Sequence, residues 1–268
     1  MSERFWTLFF ELYEALPRQG PGNRACAERA LSLCRLPASP RVLDLGCGVG
    51  AQTLYLAELT DGPILAIDSH PPSVERLRAT LVSRGLTHRV EALVGDMTES
   101  PVEKGSIDLI WSEGALYNLG LERALNLCYE LLRPGAYLVF TDAVWLVPDP
   151  PAEVRRTFDL DYPTMGTIAD DLALVEKCGF ELLGHFTLPD EAWWTDFYTP
   201  MEQRIEVMRA QYADDDEALA ILDQLAEEPA LHRVHGGDYG YELFVARRPH
   251  ADPDDRPEMD PATTSSRA

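Results

Sequence analysis

The apolar residues between positions 41 and 145 follow two alternating patterns. Short runs rich in Val, Ile and Leu alternate with longer segments in which apolar residues recur every three or four positions. The first pattern is typical of strands buried on both faces, and the second is typical of amphipathic helices. Together they predict a parallel sheet with helices on both faces. The predicted strands are 41–45, 63–68, 89–96, 106–114 and 136–145, and the predicted helices are 51–59, 73–85 and 121–135.

The segments on either side of this region extend the pattern. Two helices are predicted before the first strand, at 3–16 and 23–36, and the motif RQGPG (18–22) separates them because Pro and Gly end helices. After residue 145, strands are predicted at 180–188 and 240–248, with helices at 200–213 and 216–228 between them. Helices therefore precede the sheet and are inserted before its last strand.

These patterns predict three parts along the chain. We expect an N-terminal helical cap over 1–40 and one domain over 41–248, with a helical insertion at about 189–238. Residues 249–268 are rich in Pro, acidic and small polar residues. Such a composition cannot bury a core, so we predict a disordered acidic tail.

The composition of the chain is informative mainly because of its charge. The 268 residues include 45 acidic and 23 basic residues, for a formal net charge of −22. Such a surface repels nucleic-acid phosphates and anionic membranes, and no apolar run is long enough to span a bilayer. Five scattered cysteines without a CxxC pair favour a reduced, cytoplasmic setting, and six scattered histidines predict no metal site. A monomer and a homodimer are both compatible with the sequence.

The stretch VLDLGCGVG (42–50) is the first candidate for chemistry. Three glycines, Gly46, Gly48 and Gly50, follow a strand and precede a helix, where backbone without side chains lets a ligand approach closely. Cys47 is expected to pack inside this loop. The residues GCGVGA also satisfy the dinucleotide pattern G-x-G-x-x-G/A. We expect Asp44 to face the same crevice, where it would repel a diphosphate and attract an ammonium or sulfonium centre.

Acidic residues also end the next two strands. Asp68 ends the second strand, where a carboxylate accepts hydrogen bonds from ribose hydroxyls. Asp96 ends the third strand and can accept from an adenine amino group, while the thioether of Met97 packs on the ring. Acids at three successive strand ends suit a nucleoside whose other end is zwitterionic and carries no phosphate. S-adenosylmethionine has this composition.

The sequence resembles the class I S-adenosylmethionine-dependent methyltransferases. The resemblance implies a Rossmann-like, doubly wound sheet of seven strands with the last strand antiparallel. It also implies a cofactor pocket lined by Gly46, Gly48, Asp68, Asp96 and Met97. The residues that carry it are VLDLGCGVG (42–50), AID (66–68), VGDM (94–97), IDLIWSEGALYNLG (107–120) and LLRPGAYLVF (131–140). A narrower resemblance, to a bacterial group of small-molecule methyltransferases, is carried by RQGPG (18–22), WSEGALYNLG (111–120) and YGYELF (239–244).

Methyl transfer is an in-line displacement that requires a positioned acceptor and the exclusion of water. We expect Glu113, after the fourth strand, either to bind the ammonium of the methionine moiety or to act as a general base. Tyr117 is expected to face the acceptor. In the RQGPG motif, Arg18 is expected to pair with the cofactor carboxylate, and Gln19 to hydrogen-bond near the reacting centre.

Aromatic residues after the fifth and sixth strands either fill the core or form a wall around the acceptor. We expect a few of them to line the acceptor pocket; the candidates are Trp145, Trp193, Trp194, Tyr198, Tyr239 and Tyr241. Tyr13, before the RQGPG motif, either packs in the core, which we favour, or points into the same space as Arg18 and Gln19. The predicted function is methyl transfer from S-adenosylmethionine to a small molecule. The alternatives are a non-catalytic protein that binds this cofactor or S-adenosylhomocysteine, and an NAD-dependent oxidoreductase.

Overall fold

A mixed sheet of seven strands forms the centre of the computed structural model, which describes residues 1–250. The strands are β1 (Val42–Leu45), β2 (Ile64–Asp68), β3 (Val90–Val94), β4 (Ile107–Glu113), β5 (Leu132–Trp145), β6 (Glu181–Thr187) and β7 (Tyr239–Arg247). Their order is β3-β2-β1-β4-β5-β7-β6, and β7 runs antiparallel to both of its neighbours. The predicted Rossmann-like sheet with an antiparallel last strand is therefore confirmed.

Helices cover both faces of the sheet and its upper edge. They are α1 (Glu3–Tyr13), α2 (Arg24–Ser32), α3 (Ala51–Leu59), α4 (Pro71–Ser83), α5 (Leu121–Leu131), α6 (Ala152–Asp161), α7 (Ile168–Lys177), α8 (Glu191–Trp193), α9 (Thr199–Gln211), α10 (Asp216–Leu225) and α11 (Glu227–His235). A π-helical turn over Trp194–Tyr198 joins α8 to α9. Within residues 1–250, no helix combines the length and apolar character needed to cross a membrane.

Alternating residues of the strands pack into separate cores on the two faces. Val42 of β1 packs among side chains of α2, α3 and α4, whereas its neighbour Leu43 packs among side chains of α5 and α7. A third core lies above the sheet, where α1 packs on α9 and α10 over the end of β5. This third core covers the edge at which the parallel strands end, and it positions the site described below.

The structure differs from the sequence prediction in the second half of the chain. The helix predicted at 121–135 ends at Leu131, and β5 begins at Leu132 and includes Pro134 and Gly135. The helix predicted at 216–228 is two helices, α10 and α11. Helices α6 and α7 were not predicted; half of the residues of α6 are charged, whereas α7 has an apolar pattern that the sequence analysis did not consider. The predicted tail falls almost wholly on residues 251–268, which lie outside the described residues, and the domain limits stay a prediction.

Candidate active site

One cavity of about 1320 Å³ lies where the parallel strands end, beneath α1 and the helices inserted before β7. One side is formed by the glycine loop after β1 and by acids at the ends of β2, β3 and β4. The other side is formed mainly by aromatic residues of α1, α6 and the insertion. Ligands of open α/β sheets bind at this edge.

The glycine loop presents its backbone to the cavity. Gly46 and Gly48 both have positive φ, +74° and +51°, a conformation that side chains rarely adopt. A Cβ on Gly48 would lie 2.5 Å from Oε1 of Gln19, and a Cβ on Gly46 would lie 2.2 Å from Cβ of Ala115. Only glycine fits at either position, so the ligand side of the loop is bare backbone.

The other two predicted loop residues, Cys47 and Gly50, have a role in packing. Cys47 borders the cavity but is buried, and burial raises the pKa of its thiol. Gly50 is not among the cavity residues; it begins α3 with φ +88°, and a Cβ there would lie 2.2 Å from Cδ1 of Leu77. Gly50 is therefore required for packing between α3 and α4.

Asp68 joins the glycine loop to the turn after β2. Its Oδ2 accepts a hydrogen bond from the Gly48 amide at 2.8 Å, and its Oδ1 accepts from the His70 amide at 2.8 Å. A carboxylate oxygen has more than one acceptor site, so both oxygens can accept further bonds from a ligand that enters the cavity. The position and chemistry of Asp68 fit the two hydroxyls of a ribose.

Asp96 and Met97 line the cavity beside Asp68, after β3. One oxygen of Asp96, Oδ1, accepts from both the amide and the hydroxyl of Thr98, each at 2.7 Å. The bond from the Thr98 amide lowers the pKa of Asp96, so the carboxylate remains ionised. Its Oδ2 has no hydrogen-bond partner within residues 1–250, which leaves an acceptor for an exocyclic amino group.

Arg18 and Glu113 form a buried ion pair at the base of the cavity. Their side chains are only 5% and 7% exposed, and Nη2 of Arg18 donates to Oε2 of Glu113. The other Glu113 oxygen accepts from Nε1 of Trp111 at 2.7 Å. Arg18 also donates to the carbonyl oxygens of Gly20 and Pro21, at 2.8 and 3.2 Å. The carbonyl groups of the RQGPG turn thus hold the Arg18 side chain against the end of β4.

One nitrogen of this arginine lacks a partner. Nη1 of Arg18 is buried and makes no hydrogen bond within the described part of the chain. A buried unpaired donor costs about 1–3 kcal/mol, more if it is charged. A carboxylate is the preferred partner of a guanidinium, and S-adenosylmethionine carries one. Its carboxylate fits Arg18, and its adenosine half fits Asp68, Asp96 and Met97.

Gln19 forms a hydrogen bond with the glycine loop that holds the loop in place. Its Oε1 accepts from the Val49 amide at 3.2 Å, and its Nε2 donates to the carbonyl of Tyr13 and to Oγ of Ser73, each at 3.3 Å. Gln19 also borders the cavity. These bonds connect α1, the loop and α4, so they give Gln19 a positioning role; a direct role near the reacting centre stays a prediction.

Tyr117 borders the cavity after β4, and its facing the acceptor stays a prediction. Its ring packs against that of Tyr162 with centroids 5.0 Å apart, and the Tyr162 hydroxyl donates to Oδ2 of Asp142 at 2.7 Å. Burial raises the pKa of Tyr117, so its hydroxyl stays protonated near neutral pH. Tyr117 can therefore donate a hydrogen bond to a ligand.

Asp44 lies beneath the loop and does not face the cavity as expected. It is fully buried, and its oxygens accept from the hydroxyl of Thr53 at 2.6 Å and from Nε2 of Gln52 at 3.4 Å. Burial raises the pKa of Asp44 to about 7. Asp44 shares a face of β1 with Val42, the face covered by α3, which explains its position. Any repulsion of a diphosphate comes from the acids that do line the cavity.

Most of the aromatic candidates line the opposite side. Tyr13, Trp193, Tyr198, Tyr239 and Tyr241 border the cavity, together with several that were not predicted: Phe5, Phe9, Phe158, Tyr162 and Phe197. Trp145 and Trp194 do not border it. The Trp145 indole donates to the carbonyl of Met165 at 3.0 Å, so Trp145 belongs to the core.

Glu228 is a cavity residue that the sequence analysis missed. Its Oε2 accepts from the Tyr13 hydroxyl at 2.6 Å, and its Oε1 accepts from the Tyr198 hydroxyl at 3.1 Å. Burial raises its pKa above the ordinary range of a glutamate. It ended the helix predicted at 216–228, and no local signal in the sequence places it beside aromatic residues. Within residues 1–250, no group of three or more His, Cys, Asp or Glu side chains is arranged to hold a metal ion.

A family match decides between the ligand classes that this geometry allows. Residues 42–135 match the family described as "Methyltransferase domain", a range that includes the glycine loop, Asp68, Asp96 and Glu113. Residues 42–135 thus match a methyltransferase domain, in agreement with the resemblance to class I S-adenosylmethionine-dependent methyltransferases. The match agrees with the prediction of S-adenosylmethionine as the cofactor, and two solved structures that share the fold are described in complex with S-adenosyl-L-homocysteine. The narrower bacterial group stays a prediction.

Similar proteins extend the likeness beyond the methyltransferase domain. The chain is 30% identical over 162 residues to sarcosine/dimethylglycine N-methyltransferase of Halorhodospira halochloris, covering 59% of this chain and 58% of that protein. It is 26% identical over 239 residues to 27-O-demethylrifamycin SV methyltransferase of Amycolatopsis mediterranei, covering 83% and 82%. It is 26% identical over 180 residues to sterol 24-C-methyltransferase erg-4 of Neurospora crassa, covering 63% and 47%. The chain thus spans about half the length of the first and third of these relatives.

Solved structures share the fold at lower identity. A methyltransferase from Thiobacillus denitrificans in complex with S-adenosyl-L-homocysteine has a TM-score of 0.76 at 19% identity, covering 89% of this chain and 97% of that one. The [4+2]-cyclase SpnF has a TM-score of 0.72 at 20% identity, covering 92% and 93%. Because one such neighbour is described as a cyclase, the fold of the methyltransferase domain does not by itself determine the reaction, which must be argued from the site.

Proposed function

We propose that this protein transfers a methyl group from S-adenosylmethionine to a small-molecule acceptor bound in the aromatic half of the cavity. The observation that carries the proposal is that one continuous cavity joins the cofactor residues to the aromatic wall. A cofactor held by Asp68, Asp96 and Arg18 leaves the aromatic half for a second molecule. A protein that only bound the cofactor would not require that second space.

Some residues of the chain bind the cofactor, and others exclude water from the cavity. Bound S-adenosylmethionine supplies an electrophilic methyl group on a positively charged sulfur. Arg18 holds the carboxylate end, Asp68 and Asp96 hold the nucleoside end, and α1 with the insertion covers the cavity. This orientation brings an acceptor into line with the reacting bond and keeps water out.

Glu113 serves in this proposal as a positioning residue. Its Oε2 pairs with the buried guanidinium of Arg18 and its Oε1 accepts from Trp111, so the carboxylate is held in place by the chain's own residues. The two alternatives of the sequence analysis, ammonium binder and general base, therefore have less geometric support than a third role, which is to fix the guanidinium of Arg18.

The experiment is a transfer assay with methyl-labelled S-adenosylmethionine and a small-molecule extract, followed by identification of the labelled product. Calorimetry with S-adenosylhomocysteine and with NAD tests the cofactor separately. We expect label in one acceptor and binding of S-adenosylhomocysteine but not of NAD. Binding without transfer to any acceptor would instead support a non-catalytic binding protein. Binding of NAD alone would support an oxidoreductase.

A further inference from the structure

Glu228 has the environment of a binding group that is incomplete without a ligand. It lies in the first turn of α11, borders the cavity, and is only partly exposed. The hydroxyls of Tyr13 and Tyr198 donate to its two separate oxygens. These bonds fix the orientation of the carboxylate and leave further acceptor sites on each oxygen.

No cation of the described residues pairs with this carboxylate. Two arginines border the cavity; Arg18 pairs with Glu113, and Arg156 is exposed on α6. The acids that border the cavity outnumber them; they are Asp68, Asp96, Glu113, Glu153, Asp161, Glu227 and Glu228. A carboxylate away from bulk water is costly unless a positive charge compensates it, so the site favours a cationic ligand.

Tyr198, which bonds to Glu228, belongs to a group of aromatic rings beside the cavity. Phe197 stacks on Tyr198 with centroids 4.6 Å apart, and Trp193 lies 5.6 Å from Tyr198 and 5.3 Å from Tyr241 by the same measure. Aromatic faces attract ammonium groups and exclude water from them. A carboxylate with aromatic neighbours is thus suited to an ammonium group and poorly suited to a phosphate or carboxylate.

We propose that Glu228, with Tyr13, Tyr198 and the neighbouring aromatic rings, binds an ammonium group that the methyl acceptor carries apart from the atom that is methylated, so that the acceptor is a cationic small molecule. The proposal rests on the proposed function and names its substrate class. Glu228 is here a residue that touches the substrate and sets specificity. The raised pKa of Glu228 has the direction expected of a carboxyl that lacks a cation in the ligand-free protein.

The test compares two probes of nearly equal shape, choline and its uncharged carbon analogue 3,3-dimethylbutan-1-ol. Their binding is measured by calorimetry to the full chain saturated with S-adenosylhomocysteine. We expect choline to bind at least tenfold more tightly than the neutral analogue. Glu228→Gln should abolish that preference, whereas Tyr198→Phe, which keeps both the carboxylate and the ring, should retain it.

Glu217→Gln is the matched control. Glu217 occupies the same position in the first turn of α10 as Glu228 does in α11, and it is exposed and outside the cavity. It should leave the preference for choline unchanged. Equal binding of the two probes, an undiminished preference in Glu228→Gln, or no detectable binding of choline would each overturn the proposal. If S-adenosylhomocysteine itself failed to bind, the proposed function would fail instead.

Discussion

Replacing Glu113 with Gln tests the buried ion pair and the role of Arg18 in one experiment. The substitution preserves size but removes the charge that compensates the Arg18 guanidinium. The amide also offers one acceptor oxygen where two donors, Nη2 of Arg18 and Nε1 of Trp111, now each have their own. One buried donor must therefore lose its partner.

The expected magnitude follows from the burial of the pair. With side chains only 5% and 7% exposed, water cannot replace the lost charge. Removing one partner of a buried pair costs about 3–5 kcal/mol, and we expect about 3 kcal/mol because glutamine keeps one hydrogen bond and leaves no hole. For a domain of this size that loss corresponds to a fall in Tm of roughly 6–12 °C.

Glu28→Gln provides the control for loss of an ion pair at the surface. Glu28 pairs with Arg24, and these side chains are 51% and 43% exposed. Exposed pairs contribute at most about 1 kcal/mol, so this variant should melt within a few degrees of the parent protein. If Glu113→Gln lowers Tm no more than Glu28→Gln does, the reasoning about the buried pair is refuted.

Ligand-induced changes in Tm then distinguish the roles of Glu113. S-adenosylhomocysteine carries a carboxylate, whereas 5′-methylthioadenosine lacks the whole amino-acid end. If Arg18 pairs with that carboxylate, S-adenosylhomocysteine should raise the Tm of Glu113→Gln at least as much as it raises that of the parent, since the ligand restores the missing negative charge. Loss of this rise, with the rise from 5′-methylthioadenosine intact, would mean that Glu113 itself binds the ligand ammonium.

Three further changes have defined outcomes. Gly22→Ala should lower Tm, measured by differential scanning fluorimetry, more than Gly85→Ala does. Both glycines have positive φ, but only at Gly22 would the added Cβ clash with another side chain, lying 2.3 Å from Nη2 of Arg18. Asp68→Ala should weaken S-adenosylhomocysteine binding by about 1–3 kcal/mol in calorimetry, since a charged acceptor is lost; unchanged affinity would remove Asp68 from the pocket. Asp171 is buried, and its pKa is raised to about 8, so the folded protein favours the protonated carboxyl and loses stability as pH rises from about 4 towards 8. Asp171→Asn, which cannot ionise, should therefore raise Tm more at pH 8 than at pH 5. An equal effect at both pH values would contradict this.

The cofactor half of the site was largely predictable from the sequence. Asp68 ends β2, and Asp96 follows β3 by two residues; both strands are marked by mainly apolar runs, and parallel strands of one sheet end at a common edge. Local pattern therefore fixed their position without knowledge of distant contacts. The prediction that Asp44 faces the cavity was wrong because the sequence analysis did not consider which face of β1 its side chain occupies. Val42 and Asp44 share a face, and a two-residue period would have directed Asp44 towards α3.

The acceptor half was much less predictable. Glu228 is near the aromatic wall only because the fold brings it to Tyr13 and Tyr198, which are 215 and 30 residues away from it in the sequence. A glutamate in a polar segment has no periodic signal that separates a cavity wall from a solvated surface. The same holds for α6, whose Phe158 reaches the cavity from a mostly charged helix.

The two halves also differ in what similarity to other proteins can say about them. The family match covers 42–135 and thus contains the glycine loop, Asp68, Asp96 and Glu113. Tyr13, Tyr198 and Glu228 all lie outside that range, on α1, the π-helical turn and α11. A match to this range does not determine the acceptor, which is consistent with the similarity of this chain to sarcosine/dimethylglycine, sterol and rifamycin methyltransferases and, in fold, to a cyclase. The identity of the acceptor therefore has to be inferred from α1 and the insertion, where the Glu228 carboxylate is the polar group that most restricts the chemistry.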